Sequence, residues 1–472
     1  VDRHGGCAFI GCVTADTRVL ARNGFKHIVD LKPNCPGKYS PLKVDLYGLD
    51  NEFHETSDFY QNGVSDTKKI TTCNGYSLEG THNHPILTMG KEGVGEWCEL
   101  QSFGVGDYVA ISRGMEVWGG ADPSVGFVVK EKEERRGSSK AFKNSVPDEI
   151  EMSDDLAYFM GLWIAEGSYD PPQNRVTITC GDNIGKFLMS GAVLGFKFKP
   201  QKHRSDQWRL ASEEFVQYMD YIGMPLVKAP EKYIPEWVFK AKKRHALNFI
   251  AGMWDGDGHI RSNNNEAGYA SASERLVDDL QLLLLNIGVI SKKSYIDVPP
   301  TKRVDVASRV FCLTVNSSSL EALKSVPLRI PRKAELLQNK IIPGRSTKDC
   351  IAFQGAFIRD VRSHRRLYRG KSISKAYLTN AMRGGSITYK SLGRFLKDHD
   401  FGIELDSYKK LKKNYDDGYY WDKIATIEDG EASTYDFVIP DTHSFFSNGF
   451  ISHNTPQGFN LLFELYNKGL KE

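Results

Sequence analysis

The middle of the chain contains one ten-residue pattern twice. Residues 158–167 read YFMGLWIAEG and residues 249–258 read FIAGMWDGDG, with a glycine, a tryptophan and an acid before a final glycine at matching places. Each copy is followed by strand-like residues, at 176–179 and 269–273, and then by an apolar helical stretch. An internal duplication of this kind predicts two related αββ units that form one pseudo-two-fold domain over about residues 152–342.

The repeated glycines and acids predict how these two units meet. Gly161 and Gly252 have no side chains, so the helices that carry them can approach closely. Glu166 and Asp257 then fall next to each other at the C-terminal ends of those helices. Two carboxylates together can hold Mg²⁺, which prefers oxygen ligands, and metal ions there can activate water for phosphodiester hydrolysis. The alternative is a pair of capped core helices whose acids are merely solvated.

A second set of residues lies near the two ends of the chain. Cys12 can attack its own preceding carbonyl in an N-to-S acyl shift, and Asn454 can attack its own main-chain carbonyl and close a succinimide. Between these steps, the hydroxyl of Thr455 can accept the acyl group. The three residues stand in the order that this chemistry requires. The sequence therefore predicts a chain that cuts itself out of its host protein.

Four short blocks resemble those of inteins, the self-splicing protein elements. They are CVTADTRVL at residues 12–20, GTHNHP at 80–85, YDF with THSF at 435–437 and 442–445, and GFISHNT at 449–455. The repeated pattern resembles the LAGLIDADG helix of homing endonucleases. The resemblance implies a mixed fold: an all-β, horseshoe-like splicing (Hint) domain, interrupted by an α+β pseudo-two-fold endonuclease domain.

The resemblance also implies a role for each residue near the junctions. Cys12 would form a thioester with the Gly11 carbonyl, after which Thr455 would take the acyl group and Asn454 would cyclise. The assisting residues would be Thr81, which holds the strained peptide bond, His84, which protonates the departing amide nitrogen, Asp436, which assists both nucleophiles, and His443 and His453, which assist the asparagine.

Two points about this splicing chemistry remain open at the sequence level. Strand alternation puts His82 on the same face as His84, so the choice between the two histidines is ambiguous. A threonine hydroxyl is a poorer nucleophile than a thiolate. We therefore expect Thr455 to form the branched intermediate slowly and cleavage at Cys12 to appear as a side reaction.

For the endonuclease, the resemblance implies that Glu166 and Asp257 are the metal ligands and catalytic acids. DNA cleavage would need a divalent cation such as Mg²⁺, whereas splicing would need no cofactor. Lys232 and Lys333, each beside an Ile-Pro pair, are candidates for stabilising the phosphate or polarising water. The alternative is that both lysines face solvent. The first repeat has Glu166 where the family often has aspartate, which leaves the efficiency of cleavage open.

Residues 348–415 form a third, basic segment. Two helical stretches, 374–382 and 389–397, are separated by a glycine turn and follow a cluster of cations. This arrangement predicts an accessory DNA-contacting module, and a solvated basic face is the alternative. The predicted DNA contacts are Arg362, Arg365, Arg366, Arg369 and Lys371.

These patterns together predict seven segments. They are an N-extein fragment at 1–11, the splicing domain at 12–130 and 416–454, a linker at 131–150, the endonuclease domain at 151–345 with repeats 151–240 and 241–345, the accessory module at 346–415, and a C-extein fragment at 455–472. The strand-and-turn pattern of the two flanks resembles phage terminase large subunits. In the splicing domain, Gly80 and Pro85 are expected to break the stretch 77–87, and residues 105–111 read as a strand.

Composition limits the partners and the compartment. The chain has 62 basic and 59 acidic residues, so any DNA-binding surface must be local. Its eight cysteines have no CxxC or CxxH spacing, which argues against a zinc site or disulfide framework and favours a reducing cytoplasm, in a microbial or viral host. No transmembrane run or signal peptide is evident, and a monomer is expected.

The sequence therefore favours an unspliced intein precursor with an embedded LAGLIDADG homing endonuclease. Its partners would be the host exteins in cis and double-stranded DNA, the intein-free allele of the host gene. One alternative is an intein whose endonuclease domain only binds DNA. Another is a hedgehog-like autoprocessing domain, which would not need the triplet His453-Asn454-Thr455. A packaging ATPase is disfavoured because no phosphate-binding Gly-x-x-x-x-Gly-Lys-Ser/Thr loop is present.

Overall fold

The computed structural model describes residues 11–34, 38–130, 145–300, 307–315, 317–341, 349–364, 378–383, 385–399 and 404–454. The chain divides into unit 1, formed by Val1–Met115 with Gly344–Glu472, and unit 2, formed by Glu116–Pro343. None of the described helices is long and apolar enough to cross a membrane.

The first part of unit 1 consists of short strands. They are β1 Val13–Thr14, β2 Arg18–Ala21, β3 Gly24–His27, β4 Tyr39–Pro41, β5 Asp45–Tyr47, β6 Phe53–Glu55, β7 Asp58–Thr72, β8 Ser77–Thr81, β9 Pro85–Met89, β10 Gly95–Glu99 and β11 Tyr108–Ile111. Short 3-10 helices lie at Ile28–Leu31 and Leu100–Ser102.

Unit 2 contains two copies of one α-plus-sheet arrangement. The first copy is α1 Asp154–Glu166, β12 Gly167–Asp170, β13 Arg175–Thr179, α2 Asp182–Met189, β14 Lys199–Gln201, β15 Arg204–Ala211 and α3 Glu213–Tyr221. The second is α4 Lys243–Asp257, β16 Gly258–Ile260, β17 Ala267–Ser271, α5 Glu274–Asn286, β18 Ser291–Val298, β19 Ser308–Val315, α6 Leu320–Leu323 and α7 Pro331–Gln338. Further 3-10 helices lie at Pro171–Gln173, Ala229–Glu231, Val238–Lys240 and Ser317–Ser319.

The chain then returns to unit 1. This part comprises β20 Cys350–Ile351, α8 Gly355–Ser363, α9 Thr379–Met382, β21 Ile387–Thr388, α10 Tyr389–Asp398, α11 Asp406–Asp416, β22 Tyr420–Val438, β23 Ser444–Ser447 and β24 Phe450–His453. The sequence predicts helical stretches at 374–382 and 389–397. The first stretch is described from residue 378, and α9 begins one residue later and ends where the stretch ends. Helix α10 begins where the second stretch begins and ends one residue beyond it.

The two sequence-distant parts of unit 1 form one sheet. Its order is β4-β7-β8-β1-β22-β11-β9-β24-β23-β2-β5-β6, with β10 added on β9 and β3 on β2. The longest pairing joins β22 to β7, from Ile424 opposite Thr72 to Val438 opposite Asp58. Because β1 pairs with both β8 and β22, the residue after Cys12 lies between the second and the penultimate blocks. This large sheet agrees with the β-strand part of the mixed fold that the sequence predicts.

Two local expectations for unit 1 were wrong. Pro85 does not interrupt a strand but begins β9, and Gly80 lies inside β8, so the break falls at residues 82–84. A proline is tolerated at the first residue of a strand because its missing N–H costs no ladder hydrogen bond there. The strand expected at 105–111 begins only at Tyr108, since Gly106 has a φ of 97° and forms the turn before it.

The helical segment expected to be a separate module is part of unit 1. Apolar residues of α8, α10 and α11, among them Ile358, Leu392, Phe395 and Leu411, share one buried cluster with Leu87 of β9 and Ile451 of β24. Polar contacts reinforce this packing: Gln354 and Asn414 both donate side-chain hydrogen bonds to the Gly93 carbonyl, at 2.9 and 2.8 Å. The helices therefore stabilise the strands of unit 1.

The boundary between the splicing and endonuclease domains also differs from the prediction. Residues 116–130 were assigned to the splicing domain, yet they pack within unit 2. The N–H of Glu116 donates to the Asn286 carbonyl at 3.0 Å, and the N–H of Ala121 donates to the Lys240 carbonyl at 3.1 Å. These polar backbone bonds have no signature in a single sequence, which is why the boundary was placed too late. The predicted linker is described only from residue 145 onwards.

The two halves of unit 2 have the same topology. Their sheets have the order β12-β13-β15-β14 and β16-β17-β19-β18. In the first half, Ser153 caps α1 and accepts from the Leu156 N–H. In the second half, Ser273 caps α5 and accepts from the Leu276 N–H. Helix α1 is buried on nearly every side from Leu156 to Ile164. An apolar helix of this kind needs a second apolar helix against it, which α4 supplies.

The close approach of α1 and α4 depends on the two predicted glycines. A Cβ on Gly161 would lie 1.8 Å from the Phe249 carbonyl oxygen, and a Cβ on Gly252 would lie 2.0 Å from the Tyr158 carbonyl oxygen. No side chain fits at such distances without separating the helices. The glycines thus bring the two backbones into direct contact.

Candidate functional sites

The peptide bond between Gly11 and Cys12 is held from two sides in unit 1. The N–H of Cys12 donates to Thr81 Oγ1 at 2.9 Å, and the N–H of Thr81 donates to the Cys12 carbonyl at 2.8 Å. Gly11 packs so closely on the next loop that an added Cβ would lie 2.8 Å from the Cα of His84. Thr81, which was predicted to hold this bond, contacts its nitrogen directly.

The thiol of Cys12 is buried. Burial raises its pKa well above the usual range, the carboxylate of Asp436 raises it further, and a hydrogen bond with Thr434 lowers it. The resting thiol is therefore neutral. Asp436 is only 1% exposed, and its carboxylate is near enough to influence the proton of the thiol.

His84 lies in the interior beside the same junction. Its Nε2 is 2.7 Å from Ser452 Oγ, and its ring packs edge-on against Phe445 with centroids 6.4 Å apart. Burial lowers its pKa to about 4, although the Gly11 backbone, which interacts with the ring, partly opposes this effect. His84 is therefore neutral near pH 7 and has one N–H to donate.

The structure separates His84 from His82. Strand β8 ends at Thr81 and residues 82–83 form a turn, so strand alternation does not apply and the expectation that both rings share one face was wrong. His84 is fully buried, whereas His82 is partly exposed. Only His84 is thus enclosed beside the Gly11–Cys12 bond.

Asn454 is also buried, at 1% exposure. Its backbone N–H donates to the His443 carbonyl at 2.9 Å, and His443 adopts a left-handed φ of 51°. The rings of His443 and His453 lie 5.9 Å apart, and Trp97 packs edge-on against His453 at 4.7 Å. Burial lowers the pKa of His453, and the neighbouring His443 contributes in the same direction. Both predicted histidines thus flank Asn454, whereas Thr455 lies outside the described residues.

In unit 2, Glu166 and Asp257 end helices α1 and α4. The helix ends are in contact, because a Cβ on Gly256 would lie 3.1 Å from the Cγ of Glu166. Burial and, to a smaller extent, the neighbouring Glu166 raise the pKa of Asp257 to about 7, although Lys232 and Lys333 oppose the change. Burial likewise raises the pKa of Glu166, while Lys333 and Lys232 oppose the change. The two carboxyl groups therefore lie close to each other at the C-terminal ends of α1 and α4.

The two predicted lysines occupy equivalent positions in the two halves. Lys232 Nζ donates to the carbonyls of Trp163, Ile164 and Gly167 at 3.3, 2.7 and 2.9 Å. Lys333 Nζ donates to the carbonyls of Trp254, Asp255, Gly256 and Gly258 at 3.0, 2.8, 3.3 and 2.6 Å. Each ammonium thus satisfies carbonyls at the C-terminal end of its own helix and places a positive charge beside the acids.

The acidic pair fits a hard cation. Two buried carboxylates side by side repel each other, and a divalent ion would relieve this repulsion. Among the described residues, no group of three or more His, Cys, Asp or Glu side chains could hold a metal ion. Glu166 and Asp257 would be the protein ligands of an ion bound at the helix ends. Mg²⁺ commonly binds through one or two carboxylates and completes its shell with water and phosphate oxygens.

The predicted basic cluster is described only in part. Arg362 lies on α8 and is partly buried, and its Nη1 is 2.9 Å from the sulfur of Met382. This contact turns part of its side chain toward the fold. The other predicted DNA contacts, Arg365, Arg366, Arg369 and Lys371, lie outside the described residues.

Several contacting residues were missed from the sequence. Ser452 and Trp97 contact the predicted histidines and Ser447 contacts Ser452, but these residues become neighbours only through strand pairing. Asp255 has a structural role close to the acidic pair: it accepts from the Tyr158 hydroxyl at 2.9 Å and from the Arg329 N–H at 2.7 Å. Its position two residues before Asp257 gave no signal that would separate the two acids.

Comparison with known proteins gives a match to the LAGLIDADG-like domain at residues 244–324, which lie in the second half of unit 2. Among curated proteins, the chain is 25% identical to a DNA gyrase protein of Mycolicibacterium flavescens, over 94% of this chain and 76% of the relative. It is 24% identical to the replication factor C small subunit of Methanocaldococcus jannaschii, over 88% of this chain and 21% of the relative. It is 21% identical to the replicative DNA helicase DnaB of Synechocystis, over 97% of this chain and 51% of the relative.

Two solved structures are similar over part of the chain. The TvoVMA intein is 22% identical, with a TM-score of 0.20, and the match covers 22% of this chain and 70% of that chain. A DnaB intein from Synechocystis sp. PCC 6803 is 18% identical, with a TM-score of 0.18, and the match covers 22% of this chain and 70% of that chain. The match to the LAGLIDADG-like domain supports an enzyme. The terminase resemblance of the flanks stays a prediction.

Proposed function

We propose that this chain excises itself from a host protein by splicing and that unit 2 cleaves DNA. The observation that carries the splicing proposal is the environment of the Gly11–Cys12 bond. Thr81 holds its nitrogen, His84 packs beside its carbonyl residue, and Asp436 lies near the attacking thiol. A purely structural strand end has no use for a buried cysteine, histidine and aspartate around one peptide bond.

The proposed reaction has four steps. The Cys12 sulfur attacks the Gly11 carbonyl carbon, the C–N bond breaks, and the thiol proton ends on the Cys12 nitrogen. The Thr455 oxygen then takes the acyl group from sulfur, which recovers the thiol. The Asn454 side-chain nitrogen attacks its own main-chain carbonyl and releases Thr455, and an O-to-N shift restores a peptide bond. Neutral His84 can donate to the developing charge in the first step, and His443 and His453 can assist the third.

The alignments support a mobile element. Relatives named as a gyrase, a replication factor and a helicase align with 94%, 88% and 97% of this chain, although the chain spans very different shares of their lengths. Three proteins with unrelated names align with nearly all of this chain. No single activity among those named accounts for a segment that all three share. An element inserted into different hosts accounts for this pattern.

For unit 2, we propose hydrolysis of double-stranded DNA at the intein-free allele of the host gene. Glu166 and Asp257 would hold Mg²⁺, which activates water and stabilises the leaving oxygen when it is bound. Lys232 and Lys333 would hold the helix ends and keep positive charge beside the acids. Their further role toward a DNA phosphate is part of the same proposal.

Intact mass spectrometry tests the splicing proposal. The chain is expressed with longer flanking exteins, beside an Asn454→Ala variant. We expect a ligated extein and a free product spanning residues 12–454, both lost in the variant. An unprocessed chain would contradict the proposal, and cleavage at Cys12 alone would favour the autoprocessing alternative.

A further inference from the structure

Three buried side chains form a line that ends at the splice junction. Ser447 Oγ is 2.5 Å from Ser452 Oγ, and Ser452 Oγ is 2.7 Å from His84 Nε2. All three residues have 0% exposure. Strand pairing produces this line: Ser447 lies opposite Phe450 at the β23–β24 turn, and Ser452 lies opposite Ile86 of β9, two residues beyond His84.

These hydrogen bonds matter because the two ring nitrogens of His84 have different hydrogen-bonding roles. The neutral ring carries one proton, so one nitrogen donates and the other accepts. Ser452 occupies Nε2. Nδ1 makes no hydrogen bond of standard geometry within the described residues, yet Gly11 packs on the His84 backbone and its carbonyl interacts with the ring. A carbonyl can only accept, so the nitrogen that faces it must carry the proton.

We propose that Ser452, supported by Ser447, is a positioning residue that fixes the proton of His84 on Nδ1. In this arrangement the Ser447 hydroxyl donates to Ser452, and the Ser452 hydroxyl donates to Nε2. Nδ1–H is then free to donate to the Gly11 carbonyl oxygen as Cys12 attacks it. This inference rests on the proposed splicing function and deepens it, because it assigns the residues that prepare the first step.

The serines act through the histidine and not on the reacting atoms. During the acyl shift the S–C bond forms and the C–N bond breaks, and the thiol proton moves to the leaving nitrogen. The two hydroxyl protons remain on the serines throughout. Loss of the Ser452 hydroxyl lets the ring place its proton on Nε2, and the nitrogen toward the junction then becomes an acceptor, which repels the carbonyl oxygen.

The first test measures the tautomer directly. The full precursor, kept intact by Cys12→Ala with Asn454→Ala, is labelled with ¹⁵N-histidine, and the imidazole shifts of His84 are recorded by NMR. We expect Nδ1–H in this parent, a shift toward Nε2–H in Ser452→Ala, and recovery of Nδ1–H in Ser452→Thr. The same tautomer in the parent and in a folded Ser452→Ala variant would overturn the proposal.

The second test measures the first chemical step in the Asn454→Ala precursor, by thiol-induced cleavage at Cys12. We expect Ser452→Ala to slow this cleavage about tenfold or more, Ser447→Ala to slow it less, and Ser452→Thr to restore most of the rate. Ser112→Ala is the matched control, since Ser112 is another buried serine of unit 1 and is only 2% exposed.

The outcomes separate this inference from the proposed function. If the Asn454→Ala parent does not cleave with thiol, the splicing proposal fails at its first step. If the parent cleaves and a folded Ser452→Ala variant cleaves at the same rate, splicing stands and the role of Ser452 is refuted. Should Ser452→Ala fail to fold, Ser447→Ala and Ser452→Thr carry the same comparison.

Discussion

The proposed splice junction in unit 1 and the acidic pair in unit 2 are both buried, and in both sites burial is the main influence on the pKa values of the titratable groups. The responses differ. Unit 1 leaves Cys12 and His84 neutral and places proton donors and acceptors around them. Unit 2 sets Lys232 and Lys333 beside its acids, and its proposed activity needs a cation there. Splicing only rearranges bonds within the chain, whereas phosphodiester hydrolysis must stabilise charge on a phosphate.

The largest effect is expected when the two carboxylates at the ends of α1 and α4 are replaced by amides. Glu166→Gln with Asp257→Asn should lower plasmid cleavage by at least about 10³-fold, because the metal ligands are lost. Mg²⁺ should raise the thermal midpoint of the parent but not of this variant. Splicing, followed by mass spectrometry, should continue. Glu335→Gln, which changes an exposed acid on α7, is the control.

This first experiment also separates the two forms of the endonuclease proposal. If neither the parent nor the variant cleaves, although both bind DNA, unit 2 is an inactive DNA-binding domain. If the variant cleaves as fast as the parent, Glu166 and Asp257 are not the metal ligands.

The next effect concerns the contact that brings the acids together. Gly161→Ala should destabilise unit 2 by about 3 kcal/mol, because the new Cβ would overlap the Phe249 carbonyl and force α1 and α4 apart. Denaturant unfolding followed by tryptophan fluorescence measures the change, since Trp163 and Trp254 lie in these helices. Gly120→Ala is the matched control, because nothing lies within 4 Å of its Cβ position. Equal stability of the two variants would contradict the close helix contact.

A third effect tests the neutral histidine of unit 1. The pKa of His84 is lowered to about 4, so the fold favours its neutral form. Its contribution to stability is complete above the unfolded pKa of about 6.5 and is lost as the pH falls from 6.5 to 4, by on the order of 3 kcal/mol. Denaturant unfolding of the splicing-inactive precursor at pH 7 and pH 4 measures this loss.

The comparison for that experiment is a pair of substitutions. His84→Gln should lose less unfolding free energy between pH 7 and pH 4 than the parent, because it has no buried imidazole to protonate. His82→Gln, at the partly exposed neighbour, should lose as much as the parent. If His84→Gln and the parent lose the same stability between the two pH values, His84 is not held neutral by burial.

The smallest effect tests the helix-capping role of the lysines. Lys232→Met should destabilise unit 2 by about 2 kcal/mol, because three carbonyls at the end of α1 lose their donor. Lys242→Met, at an exposed lysine before α4, should change stability by less than about 0.5 kcal/mol. An equally small loss for Lys232→Met would show that water replaces the ammonium and that the lysine is free for another role.

The sequence was most informative where one local pattern determines a contact. Gly161 and Gly252 were expected to bring two helices together, because a repeated glycine in an apolar helix has few other uses, and the helix contact follows that expectation. The acids at the helix ends follow from the same register. The exact ends of strands do not follow from such patterns, as the misplaced break near Pro85 illustrates.

Residues that meet only through tertiary structure could not be predicted in this way. Ser452 approaches His84 because β24 pairs with β9, and a single sequence carries no record of that pairing. The short turn at residues 82–83, which distinguishes His84 from His82, follows from the end of β8 and not from residue type. For the same reason, no local pattern indicated that α8, α10 and α11 pack on the splicing strands.

The core that these helices share with the splicing strands limits how the gene could be shortened. Removing residues 116–343 would take away unit 2 and leave that core whole. A deletion that also removed residues 349–416 would strip Leu392 and Phe395 from the cluster around Ile451, three residues before Asn454. Descendants of this gene that lose unit 2 should therefore keep the helices, and a shortened chain engineered to test splicing should keep them as well.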